Sequence, residues 1–301
     1  MFSTYTEKFC GQVIETEKLD EIIEIVNTFQ NLSRTELAST ICELFSWKRP
    51  TGKLKTVECR QFLERLDLKG IICLPECREK YIKKSKKLFN MHNFNDKQKQ
   101  TVISVKLQFL TPILLIRVKT QDQRKLWCEY IDRYHYLGFN IPFGAHLRYF
   151  IKSGATEDIL GCFQFSSPAW KMAARDRWIG WNDTQRKKNL QKIINNSRFL
   201  IFPWIKVKNM ASYVLSLASR IVPEEWNTCY GYRPVLMETL VDQKQYKGTC
   251  YKASNWILCG QTTGRGRNDK EHNYHGMSVK DIYVYPLMSS FRKELINNSL
   301  S

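Results

Sequence analysis

Leu19, Ile22, Ile23, Val26 and Phe29 recur at helical spacing, which predicts an amphipathic helix near the start of the chain. Ser33 followed three residues later by Glu36 is a capping box, and Leu37, Ile41, Leu44 and Phe45 form the apolar stripe of a second helix. A third helix starts near Thr56, turns Phe62, Leu63 and Leu66 inward and stops at Gly70, the residue best suited to a left-handed cap. Ile71 to Leu74 then predicts a short strand. Three helices and a strand in this order match a winged helix-turn-helix, although the link from Ser46 to Lys55 is longer than its usual tight turn.

Beyond residue 100 strand and helix patterns alternate. Val102 to Phe109 and Leu114 to Lys119 are predicted as strands, Arg124 to Leu137 as a helix ending at Gly138, and Leu147 to Ile151 with Ile159 to Phe165 as a hairpin around Ser153 and Gly154. A helical region from Trp170 to Ile194 follows, then a strand at Arg198 to Phe202, a helix at Asn209 to Ile221 and a strand at Val235 to Val241. The predicted class is α/β (α+β): a small winged-helix-like domain over 1–77, a linker over 78–100 and a larger mixed-sheet domain over 101–301.

Composition supports a folded chain, since 43% of residues are hydrophobic and 13% aromatic. Between the two domains the pattern gives way to charge, with Lys80, Lys83, Lys84, Lys86, Lys87, Lys97 and Lys99 in one short stretch. The formal net charge of +18 attracts polyanions, and nucleic acid is the partner it indicates. No run approaches the roughly 18 apolar residues of a membrane span, and no apolar export segment opens the sequence, so a cytoplasmic protein with reduced cysteines is expected. Cys73 and Cys77 have no second pair at zinc spacing, and His272 and His275 are the only close histidines, so no metal site is predicted.

Lys53, Lys55, Arg60 and Arg65, on or just before the third helix, are candidate phosphate contacts, as are Arg265 and Arg267 in Gly264-Arg265-Gly266-Arg267. Glu238 lies in an apolar strand where burial would raise its pKa into a range useful for proton transfer, and Tyr251 can serve as its acid partner; a buried structural hydrogen bond is the competing reading for each. Asp176, between Arg175 and Arg177, fits either a catalytic role or an intrahelical ion pair. Asp132, Asp176 and Glu238 have no spacing that singles them out as metal-binding carboxylates. Trp170, Trp178, Trp181 and Trp256 can stack on bases, but tryptophans are more often core. No phosphate-binding Walker loop, HExxH or GxSxG is present, which disfavours ATP hydrolysis, zinc proteolysis and elbow-type serine hydrolysis.

Several segments together resemble the DruA family of the bacterial Druantia anti-phage systems: Leu32 to Leu37, Gly70 to Ile72, Tyr134 to Gly138, Arg175 to Trp181, Asn196 to Leu200, Glu238 to Val241, Gly248 to Trp256 and Gly264 to Arg267. The resemblance implies an antiviral defence component that acts with other Druantia proteins, including a helicase-like partner, and binds or remodels foreign DNA. It implies no reaction, so a transferase modifying a base or a protein side chain and a non-enzymatic adaptor remain alternatives. The element order of the second domain is also similar to GCN5-related N-acetyltransferases. That likeness implies an acyl-CoA pyrophosphate site at the start of the helix after the central strand, at Lys208, Asn209, Ala211 and Ser212, where the glycines that ordinarily admit a pyrophosphate are absent.

Overall fold

A computed structural model describes residues 7–30, 32–50, 54–75, 101–140, 142, 144–263 and 278–297. The described chain opens with an antiparallel hairpin of β1 (Glu7–Phe9) and β2 (Gln12–Ile14), followed by α1 (Thr16–Thr28), α2 (Arg34–Leu44) and α3 (Thr56–Leu68). The helices lie where the apolar periodicity predicts them. The capping box is complete: Ser33 Oγ accepts the Glu36 amide at 3.2 Å, and the Glu36 carboxylate accepts the Ser33 amide at 3.1 Å.

The hairpin was not predicted, because three-residue strands are too short to register an alternation. Packing holds it instead, with Phe9 stacked on Trp47 at 3.8 Å between ring centroids. The strand expected at Ile71 to Leu74 does not form, because side chains take its backbone groups. Leu74 N donates to Asp67 Oδ1 at 2.9 Å, Gln30 Nε2 donates to Cys73 O at 2.8 Å, and Arg34 Nε donates to Pro75 O at 2.9 Å. Cys77, the linker and Lys53 fall outside the described residues.

The second unit is built on a seven-stranded sheet of β3 (Ile113–Arg117), β4 (His146–Ser153), β5 (Ile159–Ser166), β6 (Ile193–Ile201), β7 (Leu236–Asp242), β8 (Ile257–Gln261) and β9 (Lys280–Pro286), in the order β3-β4-β5-β6-β7-β9-β8. Every neighbouring pair is antiparallel except β6 and β7. One face carries α4 (Gln121–Tyr134), α5 (Ala173–Ile179) and α6 (Asp183–Asn189); the other carries α7 (Met210–Tyr230) and α8 (Thr249–Ala253). Alternation along β4 makes the division plain: Arg148 lies over the Trp127 ring of α4, while the Tyr149 hydroxyl donates to Glu225 of α7 at 2.9 Å. A smaller core of Ile179, Leu190, Leu236 and Leu295 joins α5 and α6 to α9 (Phe291–Ile296).

Other sequence expectations are corrected here. Val102 to Phe109 is not a strand: Ile103 makes a single bridge to Ile205, Leu107–Phe109 form a short 3-10 turn, and Val102, Val105 and Phe109 are exposed, so their alternation marks no buried face. The helical region from Trp170 breaks at Gly180, whose φ of +86° ends α5, and Ile193 and Ile194 already belong to β6. The helix from Asn209 runs beyond Ile221, through Pro223, to Tyr230.

The N-terminal helices pack on the sheet unit with a shared apolar core. Gly144 N donates to Thr40 Oγ1 at 3.0 Å, Lys187 pairs with Glu24 at 2.7 Å, and the Tyr230 hydroxyl donates to Glu36 Oε1 at 3.0 Å. Gly144 has φ +64°, and a Cβ there would collide with the Ser167 side chain, so this contact needs glycine.

Candidate functional site

The parallel pairing of β6 and β7 runs from Ile193 opposite Leu236 to Asn196 opposite Thr239, and the strands then part. At the same point β6 carries one extra residue against β5, since Phe165 pairs with Asn196 and Gln164 with Arg198, leaving Ser197 as a bulge. The bulge breaks the alternation. Asn196 and Phe199 face α7, whereas Ser197 and Arg198 turn to the face of α4: Asn196 Nδ2 reaches the Tyr251 hydroxyl at 3.4 Å, and Gln164 Nε2 donates to Ser197 Oγ at 3.1 Å.

On the α4 side, where the strands part, Arg198, Lys280 and His135 come together. Arg198 Nε donates to Gly138 O at 2.9 Å and its Nη1 to Ser197 O at 2.7 Å, which fixes the guanidinium beside the end of α4. His135 lies in the fields of Arg198 and Lys280. Its Nδ1 accepts the Leu137 amide at 3.2 Å, which leaves the proton of the neutral ring on Nε2. Burial, reinforced by the two cations, pushes the His135 pKa down to about 4. Burial also lowers Lys280, with Asp242 acting against it, and raises Tyr136 to about 12. The Asp242 carboxylate is engaged elsewhere: Ser278 Oγ donates to it at 2.6 Å and the Lys244 amide at 3.0 Å. Tyr136 and Tyr246 are 37% and 52% exposed, with ring centroids 5.6 Å apart at the rim.

Glu238 and Asp176 meet in a different place. The wholly buried Arg175 donates through Nε to Asp176 Oδ1 at 2.9 Å, and through Nη1 to Glu238 Oε2 at 3.0 Å and Ala169 O at 2.9 Å. Asp176 also accepts the Met172 amide at 3.1 Å and Trp181 Nε1 at 3.0 Å. Burial raises the Glu238 pKa against the opposing charge of Arg175. Tyr251 is on the other face of the sheet, beside Thr239 and Asn196, and burial raises its pKa strongly. Adjacent residues of a strand point to opposite faces, so Glu238 and Tyr251 do not form an acid and base pair across one site. Asp132 is separate again, accepting the Phe139 amide at 2.7 Å. Among the described residues no group of three His, Cys, Asp or Glu side chains could hold a metal ion.

The candidate phosphate contacts of α3 are engaged locally. Arg60 is 3.6 Å from Glu64, Arg65 Nη2 donates to Lys8 O at 3.1 Å, and Lys55 lies over the Phe9 ring at 5.9 Å. With Glu58, Glu64 and Asp67 against Arg60 and Arg65, α3 has a formal charge of −1. Arg265 and Arg267 fall outside the described residues. Trp181 and Trp256 are buried, Trp170 and Trp178 half-buried.

The start of α7 does not fit the pyrophosphate of an acyl-CoA. Asn209, at φ +63°, makes no side-chain cap, Met210 N is turned to Val207 O at 3.3 Å, and Lys208 to Ser212 bear side chains throughout. The gap between β6 and β7 on that face is filled by the Tyr251 ring, 7% exposed, packed against Phe199 and Tyr283.

Sequence reasoning passed over His135, Tyr136, Arg198 and Lys280 as site residues. The signal lay in the segments themselves: Tyr134 to Gly138, Asn196 to Leu200, Glu238 to Val241 and Gly248 to Trp256 lie far apart in the chain and converge at the parting of β6 and β7. Cavities of about 290 Å³, beside Arg220, Arg233 and Tyr285, and about 470 Å³, beside Arg124 and Cys128, lie away from this point.

The chain is similar to several solved acyl-transferring enzymes. A spermidine N-acetyltransferase from Vibrio cholerae is 9% identical, with 62% of this chain and 96% of that one covered at a TM-score of 0.36. Tetrahymena GCN5 is 10% identical, with 57% and 97% covered at 0.33. FeeM, an N-acyl amino acid synthase from uncultured soil microbes, is 10% identical, with 58% and 91% covered at 0.36. No curated protein matches the sequence. Over residues 65–271, which take in α4 to α8 and six of the seven strands of the large sheet, the chain matches the family described as Druantia protein DruA, and it belongs to that family.

Proposed function

We propose that this Druantia defence component binds DNA through the sheet unit, at the end where β6 and β7 part. The distribution of charge supports this most directly. Residues 1–77 hold ten Lys and Arg against twelve Asp and Glu, whereas residues 101–301 hold 29 against 15. Lys206, Lys208, Lys244, Lys247 and Lys252 are exposed around the C-terminal ends of β6 and β7, and none is in an ion pair with another described residue. Ligands of open α/β sheets gather at such strand ends. Arg265 and Arg267 lie in sequence between β8 and β9 and are further candidate phosphate contacts. Other Druantia proteins, a helicase-like one among them, are the expected partners in remodelling the bound DNA.

Titrating the full chain against labelled DNA at graded salt tests the reading. Affinity falls steeply with salt, with a slope of about −0.9 for each phosphate neutralised on a duplex. Affinity that ignores salt refutes it. Arg265→Gln with Arg267→Gln flattens the slope.

A further inference from the structure

The cluster of Arg198, Lys280 and His135 beside β6 combines features that the exposed lysines around it lack. Arg198 is held by two backbone carbonyls, Lys280 is half-buried with no ion pair to a described residue, Arg198 depresses the Lys280 pKa, and both cations depress that of His135. Asp242, the one carboxylate in register with Lys280, already accepts from Ser278 and Lys244. Asp242 offsets part of the Lys280 charge, but two neighbouring cations share this one carboxylate, and the net positive charge left over suits an anion from outside. The rim adds aromatic surface: Tyr136 and Tyr246 are large, exposed and tilted at 58° to each other, and His135 stacks on Tyr136 with centroids 5.0 Å apart.

A duplex offers phosphates but keeps its base faces stacked, so exposed rings beside a phosphate site gain nothing from it. A single strand offers both. We propose that this cluster holds one nucleotide of single-stranded DNA, with its phosphate on Lys280 and Arg198 and its base against Tyr136 and Tyr246. The proposal rests on the DNA-binding reading above and names the form of DNA that the site selects.

Fluorescence anisotropy on the full chain tests it, with a labelled single-stranded oligonucleotide, the duplex of the same sequence, and the corresponding free mononucleotide as competitor. Tyr136→Ala, at an exposed ring, weakens single-strand binding on the order of tenfold, the effect of losing one stacked base, and leaves duplex binding unchanged. Tyr136→Phe keeps the ring and keeps the affinity. Lys280→Gln lowers the single-strand salt slope by about 0.7. If Tyr136→Ala and Lys280→Gln bind single strands as the parent does, while the parent binds DNA with a normal salt slope, the nucleotide site is wrong and the DNA-binding reading stands. If the parent binds neither form with salt dependence, both fall. Displacement of the labelled strand by the mononucleotide at the same concentration as by the unlabelled oligonucleotide also overturns the proposal, since it assigns the site to a free nucleotide.

Discussion

The two units of this protein differ in where their charge lies. Residues 1–77 supply the helix order associated with DNA reading, yet carry two more acidic than basic residues, and α3 itself is net negative. Residues 101–301 show, among the described residues, no element order of a familiar DNA-reading motif, yet carry fourteen more basic than acidic residues. A motif's element order and a phosphate-binding field are separate properties, and only the second produces counterion release. Arg60 and Arg65, counted as candidates from sequence, spend their guanidiniums on Glu64, Lys8 O and the Phe62 ring.

Charge reversal sharpens that contrast most. Lys206→Glu, Lys208→Glu, Lys244→Glu, Lys247→Glu and Lys252→Glu combined reduce DNA affinity by about a hundredfold or more at moderate salt, whereas Arg60→Gln with Lys55→Gln changes it by less than about threefold. A larger effect from α3 in a binding titration reverses the assignment of the two units.

Next in size is a stability difference. Glu238→Gln leaves the buried Arg175 guanidinium with Asp176 as its one remaining carboxylate and destabilises the sheet unit by about 2–3 kcal/mol in denaturant unfolding. Its counterpart in the helical unit, Ser33→Ala, removes one capping hydrogen bond and costs about 1 kcal/mol. Equal losses show that the Arg175 network is no more demanding than a surface cap.

Of similar size to the first is a pH effect. His135 binds its proton only near pH 4 when folded and near 6.5 when unfolded, so the unfolded chain holds more protons across that window. Stability is therefore complete above about pH 6.5 and declines by on the order of 2–3 kcal/mol as pH falls to about 4. His135→Gln removes this contribution from the stability profile, and an unaltered profile means that His135 is not held neutral by the fold.

The fold was legible where a signal is local. The Ser33 to Glu36 box, the Leu19 to Phe29 stripe and the β4–β5 hairpin each fit within a short window and lie close to where predicted. Legibility failed where distant groups compete for the backbone, as at Ile71 to Leu74, and where an element is shorter than its own period, as in β1 and β2. The end of the chain, with β8, β9 and α9, gave no clean pattern because their faces are only partly buried. For the site, Glu238 was found by its oddity, a carboxylate in an apolar strand, and that oddity proved to mark a buried ion pair with Arg175. Arg198 and Lys280 look ordinary in sequence, and become notable only when β6 and β9 bring them to one place.

Ser197 carries a consequence for how such a protein can change. A point substitution alters one side chain on one face of a strand, whereas losing this inserted residue would leave every partner in place: Asn196 opposite Phe165, Arg198 opposite Gln164 and Phe199 opposite Phe163. Removing its codon would give up the Ser197 contacts to Gln164 and Arg198 while keeping Arg198 toward α4 and Phe199 toward α7. A one-residue deletion, which in an ordinary strand turns every following side chain over, leaves the chemistry of both surfaces intact here.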